Sequence, residues 1–335
     1  MDALDMARTI IATMNRVERA TKKALRDRER KERPTAKRST APEVAARYEA
    51  LFERLTRAHC VAYERLDWHD LAEAGLVEPA IRANALELKA RKALANYQPG
   101  IIATLFGLGA EKRRALAEKV LEAAKKDAEL YAQAKRNAER HNLDVNVAAS
   151  VLALDVNGIE TALMAHVPIA ELALLLEGLG IHMPSPGRLV VYVDAMEIDA
   201  MPDEAVAIGE NGRSVYVPLS ATARCEMHLA NVCAATLRAG LEVMSVVPVQ
   251  QVDVVTRCFL PTASGELEQY PVAHVRLPHE ALKAMDLRRL EPVSTVTALG
   301  GRLDWEIGRG FAPIRIDDLN LISVRTIQPS QTAAA

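Results

Sequence analysis

Along the first 142 residues, apolar side chains recur at spacings of three and four, the pattern of amphipathic helix. Ile10, Met14, Val17 and Ala20 open it, predicting a helix over about 5–33 that ends in "RPTAKRSTAP", a link. Thr40, Pro42 and Glu43 make a helix start of capping-box type. Val44, Tyr48, Leu51, Leu55, Ala58, Ala62 and Leu66 then follow as one stripe, predicting a single long helix to Leu66. A third helix is expected after Pro79, with Leu86, Ala90, Ala93 and Tyr97 on one side. A fourth is expected over 110–141, with Ala117, Leu121, Ala124, Ala128, Tyr131, Ala134 and Ala138. Residues 1–39 are thus a helical arm and link, and 40–142 a coiled-coil-like helical hairpin or small bundle.

Residues 143–186 read as a helical bridge of two short helices, with Asp155 or Asn157 capping the first, Pro168 starting the second, and Gly178 and Gly180 ending it. From residue 187 the pattern changes to strands. "RLVVYVDAMEI" is β-rich, and "AVAIGENGRSVYVP" is a hairpin around Glu210–Arg213. A second hairpin turns at Thr262–Gly265, and "PHEALKAMDL" starts a short helix. "GRLDWEI" and "FAPIRI" supply further short strands. Between the hairpins, residues 220–246 form one long helix. The fold class expected is α+β: a helical N-terminal region, then an antiparallel sheet domain over 187–327 with that helix packed on it. Residues 328–335 read as a disordered tail.

Composition narrows the picture. Half of the 335 residues are apolar but only 4% are aromatic, so the core must be built from Ala, Leu and Val. The net charge of −2 gives no global signal for nucleic acid. It hides an asymmetry: residues 15–38 hold eleven basic and four acidic residues, a net +7, and the remainder carries −9. This basic arm is a possible nucleic-acid contact. Interleaved acids and the lack of aromatics favour a solvated helix instead. No stretch reaches the length of a membrane span and no secretory leader is read, so a cytoplasmic location is expected.

Four cysteines, Cys60, Cys225, Cys233 and Cys258, lack framework spacing. Within "CEMHLANVC", Cys225 and Cys233 lie about 12 Å apart on a helix, too far for one disulfide or one tetrahedral zinc. Cys225 and His228 could share an ion only with help from Cys258 and His274. Core cysteines are the expectation, with no metal and no cofactor. No G-x-S-x-G, GxxxxGK[ST] or GxGxxG motif is present. The acids Glu197, Asp199 and Asp253 are the weak catalytic candidates, for a metal-dependent hydrolase or nuclease. That chemistry wants a lysine partner, and Lys283 is the only lysine after Lys135. Arg302 and Arg309, near glycines, are candidates for an anion-binding turn. Ile101, Ile102, Leu105 and Phe106 form an apolar knot, expected to fold inward, with an exposed partner-binding tip as the alternative.

"LDWHDLAEAG", "ALANYQPGIIATLFGLGAEKRR", "PLSATARCEMHLANVCAATLRAGLEVMSVVPVQQVDVV", "TASGELEQYPVAHVRLP" and "IGRGFAPI" together resemble a family of uncharacterised bacterial proteins. The resemblance implies a charged helical front and a C-terminal α+β domain, and brings no activity or functional residue. Gly308–Phe311 is its stretch most expected to matter. The function expected is non-enzymatic binding or scaffolding, through a protein partner or self-association of the helical region. The rival is the hydrolase.

Overall fold

A computed structural model describes residues 40–78, 84–100, 108–185, 187–262 and 265–316. The basic arm, the knot at Ile101–Phe106 and the C-terminal tail lie outside the described residues. The chain divides into two units. One joins the stretch up to Leu66 to everything from His166 onward, and the other is Asp67–Ala165.

The first unit is the α+β body. Its five-stranded sheet has the order β1 (Leu176–Ser185), β2 (Arg188–Ala195), β5 (Gln251–Pro261), β6 (Leu267–Pro278), β7 (Arg302–Leu303). The expectation of a wholly antiparallel sheet needs one correction: β2 and β5 run parallel, with Val190 opposite Asp253. The cause is the connection. The ribbon β3 (Glu204–Ile208) and β4 (Ser214–Pro218) forms its own two-stranded sheet. The long helix α7 (Ala221–Val246) then carries the chain back, and a helical crossover delivers a parallel neighbour.

Helix α7 starts where its cap predicts, with Ser220 Oγ accepting from the Ala223 N–H at 3.1 Å. Leu237, Val243 and Met244 are fully buried, as are Val191, Val193, Val254, Val275 and Leu277 of the sheet. Gly240 lets helix and sheet meet closely, because a Cβ there would run into Leu277 and Val254. Thr236 and Thr256 hydrogen-bond at 2.6 Å across the same contact. By strand alternation, Val252 and Val254 face α7 while Asp253 and Val255 face away.

Helix α1 (Ala41–Thr56) belongs to this body and stops ten residues short of the expected end. Nothing in 57–66 breaks a helix. The segment is held instead by α7 and its neighbours. Arg238 donates to Ala58 O, His59 to Leu290 O, and Arg65 to Val247 O and Val249 O. The Leu66 N–H donates to Ser245 O. The bonds to the Ala58 carbonyl and from the Leu66 N–H satisfy backbone groups that a longer helix would have satisfied locally, and the His59 and Arg65 side chains tie the segment down. A second departure lies in the expected bridge, where residues 176–185 are the edge strand β1. Gly178 and Gly180 sit in register with Asp194 and Tyr192 of β2 and end no helix.

The second unit holds α2 (Trp68–Glu73), α3 (Ala85–Ala95), α4 (Leu108–Leu152) and most of α5 (Val156–His166). Helices α2 and α3 both pack on α4. The boundary expected at 142 falls inside α4, which runs on for ten residues. No glycine or proline lies between 142 and 152, and Ala148 and Val151 continue its buried side. Asp127 of α4 caps α3 from outside, accepting from the Leu86 N–H at 3.3 Å and the Glu87 N–H at 2.9 Å. Asn142 clasps Val77 through both its backbone groups. Asp155 caps α5 through the Gly158 N–H.

Candidate functional site

Asp253 sits near the start of β5, 1% exposed. Its Oδ1 accepts from His274 Nε2 at 3.1 Å and Arg276 Nε at 3.0 Å, both on β6. Arg188 of β2 stands 3.6 Å from Oδ2. Burial alone would push this carboxyl up. The bonds from His274 and Arg276, with the charge of Arg276, outweigh it and hold Asp253 below the usual carboxylate range. Register explains the cluster: Asp253 lies opposite Arg276, and His274 is two residues away on the same face. Further along that face Asp194 accepts from Arg257 at 2.9 Å and Gln269 at 2.6 Å. The candidate catalytic acid is thus a buried carboxylate at the centre of an ion network whose arginines reach the surface, with both oxygens engaged.

The other two acids do not join it. Glu197 precedes a short 3₁₀ turn (Ile198–Ala200) that contains the exposed Asp199, beyond the far end of β2. Glu197 is seven residues past the register partner of Asp253, on the order of 20 Å along a strand. Among the described residues, no group of three or more His, Cys, Asp or Glu is placed to hold a metal.

The Cys–His set is likewise dispersed. His228 donates from Nε2 to Met196 O at 2.8 Å, and its ring stands edge-on to Phe311. Cys258 packs with Val232, Val272 and Phe311 on the α7 side, whereas His274 is on the opposite face. Burial pushes the thiols of Cys233 and Cys258 up to about 12. Cys225 is half-buried, which corrects the expectation that both cysteines of α7 are core residues. The Gly308–Phe311 stretch closes the small ribbon β8 (Trp305–Glu306) and β9 (Gly310–Phe311) and inserts Phe311 into the core.

Arg309 is paired with Asp304 and with Glu306, so its cation is already met by two local acids. Arg302, on β7, is the register neighbour of His274. The structure therefore separates the two arginines expected to share a turn and sets one of them beside the Asp253 network. Sequence reading also missed a Cys60–His59 contact of 3.7 Å. It does not make an activated thiol: the same Nε2 is 2.8 Å from Leu290 O and donates there.

No family model, curated protein or solved structure matches the chain.

One surface has no structural partner in the unit that carries it. On α1, Leu51 and Phe52 are 38% and 42% exposed. On the adjoining ribbon, Val215 and Val217, which share one face by strand alternation, are 43% and 47% exposed, and Ile208, on the opposite face, is 52% exposed. The ribbon is locally well specified, with Gly212 at φ +68° and the Arg213 N–H bonded to Asn211 Oδ1. Yet it pairs with no further strand among the described residues. Glu49, Glu53 and Arg54 of the same helix and Glu210 and Arg213 of the ribbon's turn are exposed as well.

Proposed function

We propose that the chain is a non-enzymatic binding protein that engages another protein through the apolar surface of α1 and β3–β4. The observation that carries this reading is the set of large apolar side chains left open on two adjoining elements. Folded monomers rarely leave such groups together unless they are used. The surrounding charges are of both signs, which suits a protein surface better than a phosphate backbone or an anionic membrane. Among the described residues one helix, α7, is long and apolar enough to span a membrane, but 78% of that stretch is buried in the sheet unit. The four cysteines are unpaired, in keeping with a reducing, cytoplasmic setting. A metal-dependent hydrolase would need acids brought together, and Glu197, Asp199 and Asp253 are apart.

The test is a double substitution, Val215→Glu with Val217→Glu. Both positions are exposed, so circular dichroism and melting temperature should stay unchanged. The wild-type chain, immobilised, should retain a stoichiometric protein partner that the variant releases. Retention of the same proteins by both would remove the proposal.

A further inference from the structure

Between the extended segment 61–64 and α7 lies a crevice of about 210 Å³, outside the apolar surface just described. Val61, Tyr63 and Glu64 form one wall, and Leu241, Glu242 and Ser245 the other. Residues 241, 242 and 245 fall on one side of the helix by their spacing, and the bonds of Arg65 and Leu66 to 245–249 hold the facing segment in place. Tyr63 is fixed as well. Its hydroxyl hydrogen-bonds His279 Nδ1 at 2.7 Å and the two rings meet edge to face, so it cannot swing in to fill the space.

Glu242 is the polar group that gives the crevice its character. Its Oε1 meets Arg238 Nε at 2.6 Å. Arg238 is shared, however: Nη1 donates to Ala58 O and Nη2 to Glu171 at 3.4 Å. One guanidinium therefore serves two carboxylates, and Glu242 Oε2 has no partner among the described residues. Burial pushes the Glu242 carboxyl up, against the pull of Arg238, and Glu171 adds to the rise. A carboxylate that is short of positive charge, in a crevice whose facing wall carries Glu64, favours a cation. The volume is roughly seven waters' worth, room for a short alkyl stem along Val61 and Leu241 with a charged end at Glu242.

We infer that this crevice binds a small organic cation, an ammonium or guanidinium on a short alkyl stem, with Glu242 Oε2 as its main acceptor. The cation comes either as a free amine or as a basic side chain of a peptide.

Calorimetry on the full chain tests it, with n-butylammonium and n-butylguanidinium as probes and potassium chloride at equal ionic strength as control. Saturable binding above the control is expected. Glu242→Gln should weaken it at least tenfold. That variant also loosens Arg238, so Ser245→Leu, which fills the crevice and leaves the ion pair intact, should abolish binding independently. Nα-acetyl-arginine amide separates the sources: binding as tight as butylguanidinium assigns a peptide side chain, and binding of the free cations alone assigns a small amine. No saturable heat with any probe, or unchanged binding in both variants, overturns the inference. The Val215→Glu/Val217→Glu protein should bind the probes normally, so this site and the protein-binding surface stand or fall separately.

Discussion

His228 and His59 are buried, each bonded through one nitrogen to a backbone oxygen, and burial lowers both below the ordinary histidine value of 6.5. A proton that the unfolded chain accepts near that value is refused by the folded one. Their contribution is complete above pH 6.5 and is lost as pH falls below it, by up to about 1.4 kcal/mol per pH unit for each histidine. Asp253, whose carboxyl is lowered, acts in the same direction at still lower pH. Denaturant midpoints should therefore fall between pH 7 and 5. His228→Gln, which keeps a donor for Met196 O, should flatten the slope, and an unchanged slope would contradict the assignment. Thiol labelling at pH 8 gives a second residue-scale test. Cys60 and Cys225 should react in the native protein, and Cys233 and Cys258 only on unfolding.

Elements with local signals were legible in the sequence. Ser220 marks the start of α7, and Asn211-Gly212 marks the β3–β4 turn. The β5–β6 hairpin was also legible, but counting outward from its turn puts Asp253 opposite Val275; the bulge between Thr256 and Arg257 shifts the register by one and brings Arg276 opposite instead. What stayed hidden depends on distant partners. Beyond Thr56 the chain leaves the helix and is held by distant groups, among them Arg238, 180 residues on, which donates to the Ala58 carbonyl. The Glu242 crevice was invisible for the same reason, since its walls are far apart in sequence. Two substitutions probe such contacts. Asp127→Ala removes the cap that α4 supplies to α3 and should cost about 0.5–2 kcal/mol. Gly240→Val drives a side chain into Leu277 and Val254, and should lower stability by roughly 1–3 kcal/mol despite the better helix propensity of valine. Equilibrium unfolding of the two variants measures both.

At the scale of the molecule, the helical unit leaves Leu121 72% and Leu130 52% exposed on opposite sides of α4, and self-association through either side is a proposal. Light scattering on the full chain should show a dimer that Leu121→Glu with Leu130→Glu returns to monomer. A wild-type monomer would end that idea. Division into two units also bears on the ribosome. The α+β body is built from chain stretches separated by the whole helical unit. The segment 55–66 leaves the exit tunnel long before Asn231, Arg238 and Leu290, the residues that will hold it, have been synthesised. At 5–20 residues per second that interval is on the order of ten to forty seconds. During it the Asp67–Ala165 helices have all their internal partners and are free to fold, while the stretch that precedes them has none. Stalled nascent chains ending near residue 200 should therefore be cut by protease at 57–66 and protected within α4, and vectorial synthesis would complete the body only when α7 and the strands after it emerge.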